Sequence, residues 1–254
     1  MKEKFDIVIE KFKSKTVLPC IGIYLHEIEP NVYENKIGGK PYIPEGEEYP
    51  TNSKGEPLAL LLQIDLKDVA LLNIPTSGTL EIFCDRNLSK PIEYTIRCYE
   101  SGLKPREDLP DVDLSNFIVR RAYKIELRRE SSYMDNNDYR FVNTFSPIIE
   151  EVFGVRLNSL EEYDEYFKDF NWVSEYISST VSPDIAIGGY PTFIKNDPRS
   201  RMSSNYDECI FKLDSIYDGD KIFLGDDGAL FALINKDDLK MKNFQKTFVS
   251  WDCF

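Results

Sequence analysis

A glycine pair recurs in this chain together with its surroundings. Ile37-Gly38-Gly39-Lys40-Pro41-Tyr42-Ile43 is answered by Ile187-Gly188-Gly189-Tyr190-Pro191-Thr192-Phe193-Ile194, and no other Gly-Gly pair occurs. Each is followed by an apolar run that an aspartate closes, Leu60-Leu61-Leu62-Gln63-Ile64-Asp65 and Ile210-Phe211-Lys212-Leu213-Asp214. A glycine then opens another strand-like run, Gly78-Thr79-Leu80 and Gly228-Ala229-Leu230. All three landmarks repeat at an offset of about 150 residues. This points to a duplicated unit, at about 37–84 and 187–234, rather than two unrelated domains. Each copy has only about 45 recognisable residues, too few to bury a core alone. The copies are therefore expected to complete one sheet, or two sheets packed about a pseudo-twofold axis, within one domain spanning 1–254.

Local patterns fill in the chain around the two copies. Phe5, Val8, Ile9 and Phe12 lie at helical spacing and predict an amphipathic helix over 3–15. Strands are expected over 22–29, 58–66, 79–84, 92–99, 117–127, 229–234 and 244–251. Residues 131–143, with Asp135-Asn136-Asn137-Asp138 at their centre, predict an exposed polar loop. Pro147 to Phe153 predicts a short helix stopped by Gly154. Ser159, followed by Glu161 and Glu162, predicts the N-cap of a longer helix running to about residue 177. Helices in the middle and strands on both sides give an α+β class with a large, mostly antiparallel or mixed sheet.

Composition excludes several roles. A net charge of -13 opposes binding to nucleic acid or to an anionic membrane and favours a cationic partner. No stretch reaches the roughly 20 apolar residues that span a bilayer. The N-terminus lacks a signal-peptide core, so the chain is expected to be cytoplasmic. Cys20, Cys84, Cys98, Cys209 and Cys253 are odd in number and widely spaced, the pattern of reduced thiols.

The assembled residues resemble the YwqG-like family of bacterial proteins. The resemblance rests on Ile37-Gly38-Gly39-Lys40-Pro41-Tyr42-Ile43-Pro44, Leu61-Leu62-Gln63-Ile64-Asp65 and Gly188-Gly189-Tyr190-Pro191 with Asn196-Asp197-Pro198-Arg199. It extends through Leu213-Asp214 and Gly225-Asp226-Asp227-Gly228 to Trp251-Asp252-Cys253. Leu224 stands where the pattern has tryptophan, and the strand after Gly228 lacks a Gly-Asn. The resemblance implies an α+β fold with a large sheet and carries over no catalytic residue.

The chemistry-bearing residues are few. His26 is the one histidine, which excludes a zinc site needing two. There is no Gly-x-Ser-x-Gly elbow, Walker A loop, Gly-x-Gly-x-x-Gly or His-Glu-x-x-His. No catalytic residue, metal ligand or cofactor is assigned. The candidate ligand-binding residues are Tyr42 and Tyr190 as walls beside the glycine turns, with Asp65 and Asp214 as a symmetric carboxylate pair. Asp226 and Asp227 in a tight turn and Arg199 as an anion grip complete the set. Each has a plainer account: turn-making for the glycines and aspartates, and an ion pair with a nearby aspartate for Arg199. The expected function is a non-catalytic cytosolic binding or protein-interaction module, of immunity-type or regulatory role, whose partner has a basic surface. The alternative is a carboxylate-based enzyme, or a small-ligand or metal-binding protein, with its site between the two copies.

Overall fold

The structure, a computed structural model, describes residues 1–72, 74–202, 205–217 and 222–254. Its strands are β1 (Leu18–His26), β2 (Lys36–Ile37), β3 (Ala59–Asp65), β4 (Thr79–Cys84), β5 (Tyr94–Tyr99), β6 (Tyr123–Ser132), β7 (Ile185–Gly188), β8 (Glu208–Asp214), β9 (Ala229–Ile234) and β10 (Phe248–Asp252). They form one sheet in the order β10-β9-β8-β7-β1-β6-β2-β3-β4-β5. Every pairing is antiparallel. The helices are α1 (Lys2–Thr16), α2 (Phe141–Phe153), α3 (Leu160–Tyr166), α4 (Trp172–Ser179) and α5 (Lys236–Lys240). The class is α+β.

The order is symmetric about the central β1/β6 pair, and the two wings match in register. Leu60 pairs with Phe83 and Leu62 with Ile82 across a bulge; Cys209 pairs with Leu233 and Phe211 with Ala232 across another. Asp65 opposes Thr79 as Asp214 opposes Ala229. Alternate side chains of both wings, among them Leu62, Ile64, Ile82, Phe211, Leu213 and Leu230, enter one apolar core. The sheet curls far enough for its two ends to touch through side chains. Tyr94 on β5 donates to the Thr247 carbonyl, and Trp251 Nε1 on β10 donates to the Leu88 carbonyl at 3.0 Å.

The helices build a second core from aromatic rings. Phe5 and Phe12 of α1 meet Phe141 and Phe145 of α2 and Trp172 and Tyr176 of α4. Phe12 and Phe145 lie edge to face at 5.1 Å. This core explains two departures from expectation. Helix α2 begins six residues before Pro147 and carries it internally. Burying Phe141 and Phe145 outweighs the cost of about 3 kcal/mol that an internal proline imposes. The longer helix expected from Ser159 is two, because Asn171 caps a fresh start by accepting from the Ser174 amide. Ser159 is the N-cap expected, accepting from Glu162 N at 3.2 Å. β6 lies later than its apolar pattern suggests, at Tyr123–Ser132.

The glycine pairs turn the chain out of β2 and β7 and lay the succeeding residues across the outer face of each wing. Gly39 and Gly189 both have positive φ, 77° and 73°. A Cβ on Gly39 would lie 2.6 Å from the Ala122 Cβ, and one on Gly189 2.4 Å from the Ser132 Cβ. Beyond them Ile43 packs over Leu60 and Phe83 in one wing. Phe193 packs over Cys209 and Phe231 in the other. Gly39→Ala and Gly189→Ala are each expected to cost about 2–5 kcal/mol, the sum of left-handed strain and overpacking. Gly46→Ala, at φ 91° but in open space, should cost only the strain, about 1–2 kcal/mol. Urea unfolding midpoints of the three variants measure the difference.

Candidate functional site

Lys212 interrupts the apolar run of β8, and its side chain is only 3 % exposed. A buried ammonium needs partners, and β8 and the second glycine turn supply them. Lys212 Nζ donates to Thr192 Oγ1 at 3.0 Å and lies 3.3 Å from Asp214 Oδ2. Thr192 donates to the same Asp214 oxygen at 2.9 Å. The other oxygen, Asp214 Oδ1, is sealed from solvent and has no hydrogen-bond partner among the described residues. Burial raises the Asp214 carboxyl above its usual range against the pull of Lys212.

These groups line a cavity of 230 Å³ with Asp135, Tyr133, Tyr176 and Tyr190. The tyrosines are held by the scaffold: Tyr176 donates to the Met134 carbonyl, and Tyr190 to the Thr16 carbonyl at the end of α1, at 2.7 Å. Asp135 accepts from Asn137 N at 2.7 Å and from Phe193 N at 3.4 Å. Burial pushes its carboxyl up to about 6 despite those bonds. Two acidic side chains and one lysine thus line the cavity.

Of the residues picked out from sequence, Tyr190 and Asp214 meet here. The others do not join them. Asp65 ends β3, and β2, β6, β1 and β7 stand between β3 and β8 in the sheet. That is five strand spacings of about 4.8 Å along the sheet. Asp65 is instead paired with Lys67 at 2.7 Å. Tyr42 is 1 % exposed, its hydroxyl bonded to the Glu100 and Leu103 carbonyls. Asp226 and Asp227 are exposed in a turn in which Asp227 has φ 50°. Arg199 is fully engaged: it donates to Asp197 Oδ2 and to Asp138 Oδ2, each at 2.7 Å, and Arg140 also donates to Asp138. A carboxylate constellation of Asp65, Asp214, Asp226 and Asp227 with Arg199 between the wings is therefore not assembled. Among the described residues no group of three or more His, Cys, Asp or Glu is arranged to hold a metal ion. His26 lies elsewhere, 3.2 Å from Glu126 on the neighbouring strand.

Asp135 and Thr192 do not stand out in the sequence. The segment expected to be an exposed loop is folded inward: Asp138 is 3 % exposed, and Asp135 lines the cavity. The one signal is Lys212 itself, a charge inside an apolar strand where the first wing has Gln63. The two wings resolve that position differently. Gln63 is wholly buried, accepting from Tyr42 N at 2.8 Å and donating to the Val32 and Glu34 carbonyls. Its amide is satisfied by backbone.

A family model described as a domain of unknown function, DUF1963, matches residues 35–253. A search of the curated proteins finds no match.

The Asp135 shift has a definite sign. Its folded carboxyl holds a proton that the unfolded chain, with an ordinary value near 3.8, has released. Stability from this group is therefore present at low pH and is lost as pH rises from about 4 to 6. Asp135→Asn removes the dependence while keeping an acceptor oxygen. Compared with the variant, the native chain should lose up to about 3 kcal/mol between pH 4 and pH 7. Chemical unfolding at both pH values checks it; parallel curves would contradict the assignment.

Proposed function

The chain belongs to the DUF1963 family, and from that premise, which brings no activity with it, we propose a non-catalytic binding protein that receives a cationic group of its partner in the Asp214 cavity. The observation that carries this reading is the sealed, unpartnered Asp214 Oδ1 beside a buried Lys212. An acceptor oxygen left without a hydrogen bond costs about 1–3 kcal/mol, which a donor recovers once it displaces the side chains that seal Asp214 Oδ1 from solvent. Tyr133 and Tyr190 already carry cations over their rings, Lys13 at 5.4 Å and Arg140 at 5.6 Å, so the attraction of an incoming ammonium or guanidinium rests on the carboxylates more than on aromatic faces. The net charge of -13 steers such a partner inward.

One observation favours the alternative, a carboxylate-based enzyme: Asp135 and Asp214 line the same cavity, and burial raises both. Recovery of a bound amine unchanged after long incubation separates binding from turnover. We also propose the narrower YwqG-like membership on the glycine, aspartate and Trp251-Asp252-Cys253 motifs, with a bacterial cytosolic setting. The matched registers of β3/β4 and β8/β9 support descent of both wings from one duplicated unit within a single domain.

The test uses n-butylammonium at millimolar concentration, with sodium butyrate at equal ionic strength as control. The cation should raise Tm by about 3 °C, the shift expected for a ligand at roughly ten times its Kd. Butyrate should not. Asp214→Asn should abolish the effect, and Asp65→Asn should leave it intact. Should Asp214→Asn fail to fold, chemical-shift changes at Thr192, Lys212 and Tyr190 in the native chain report the same contact. No stabilisation by the cation, or shift changes elsewhere only, overturns the reading.

A further inference from the structure

Strand β1 runs to His26, but its ladder with β7 stops early. β7 pairs with β1 only at Cys20↔Gly188, Ile21↔Ile187 and Gly22↔Ala186. On its other side β1 is paired with β6 along its whole length. From Ile23 to Leu25, then, the side of β1 away from β6 has no strand partner among the described residues. The sheet has a notch in its interior, and the notch is a cavity. Its volume is 530 Å³, and Ile23, Leu25, Ile185 and Ile216 supply apolar lining. Open strand edges are templates for another strand.

The notch adjoins the Asp214 cavity: Val181 and Ser182 line both. Val181 is 72 % exposed and Ile177, one turn back, 56 %, so the ridge between the cavities presents uncovered apolar surface. The acidic cavity exceeds the roughly 150 Å³ that admits benzene and falls below the roughly 300 Å³ of small-molecule sites, a size that suits one side chain. Around the two openings stand the carboxylates of Asp135, Asp184, Asp214 and Glu130 against the cations Lys212 and Arg128. Arg128 is already forked onto Glu126 at 2.7 and 3.1 Å.

We propose that an extended, basic segment of a partner protein adds to the sheet in this notch as a continuation of β7. Its backbone pairs with Ile23 to Leu25 of β1, an apolar side chain fills the notch, and a lysine or arginine crosses the Val181–Ser182 ridge to Asp214. The charge balance selects a basic segment over an acidic one, and the unpaired β1 edge selects an extended backbone over a helix. This rests on the reading of the Asp214 cavity as a cation acceptor.

The probe is the peptide acetyl-Lys-Val-Lys-Val-Lys-amide carrying a fluorophore, with three comparisons: Glu in place of Lys, Gly in place of Val, and N-methylation of alternate amides. Anisotropy should show binding at least about tenfold tighter than n-butylammonium, and each change to the peptide should weaken it about tenfold or more. Val181→Lys, at an exposed position that leaves the fold intact, should weaken it similarly. Hydrogen exchange should slow at Ile23 to Leu25 on binding. If the ammonium binds but the peptide gains nothing over it, or N-methylation is without effect, the strand-addition proposal is overturned while the cation reading stands. If neither binds, both fall. If light scattering finds a dimer that the peptide does not dissociate and that protects Ile23 to Leu25, a second copy occupies the notch and the proposal is overturned.

Discussion

The outer faces of this sheet depend on two places where there is no room for a side chain. At Gly39 and Gly189 a neighbouring Cβ sits closer than any Cβ tolerates, and the backbone is left-handed. Only glycine meets both demands. Because the chain turns there, Ile43 and Phe193 come down on their own wings and cover strands that would otherwise be half exposed. The inner faces then share one core, and the outer faces each receive a private one. The turns decide which side chains of β3 and β8 are buried beneath the strap of chain that follows each of them.

The same scaffold has been filled in two ways. In the first wing the strap contributes its backbone amide to Gln63, and the polar group is satisfied within the chain. In the second the corresponding position is Lys212, and Tyr190 has turned its amide to Ser132 Oγ instead, at 2.9 Å. Lys212 finds Thr192 and one oxygen of Asp214, which leaves the other oxygen over. The near-symmetric backbone thus carries an asymmetric polar interior. Each wing keeps a buried acceptor without a hydrogen bond, Glu81 Oε2 in the first and Asp214 Oδ1 in the second, and Asp214 lines the cavity described above.

The glycine turns, the strand-ending aspartates and the α+β class were legible because they depend on local rules: glycine at positive φ, alternation, and turns after apolar runs. The caps at Ser159 and the stop at Gly154 were legible for the same reason. Less was visible wherever burial overrode local preference. Asp135 and Asp138 read as solvent loop residues until the Phe193 amide and Arg199 are brought to them from distant parts of the chain. Pro147 reads as a helix start until the aromatic core extends the helix past it. Of the residues that line the cavity, Tyr190 and Asp214 were among those picked out from sequence, while Asp135 depends on contacts that only the folded chain creates.

The strand order also dictates when this protein can exist. β1 has as neighbours β6, about 100 residues downstream, and β7, farther still. The core closes only when β10, ending at Asp252, swings round to the level of β5. During synthesis the first wing must therefore wait, with its apolar inner face uncovered, until β10 has left the ribosome. Topologies dominated by such distant pairings fold slowly and expose sticky surface while they do. For this chain the period of greatest vulnerability is its own translation.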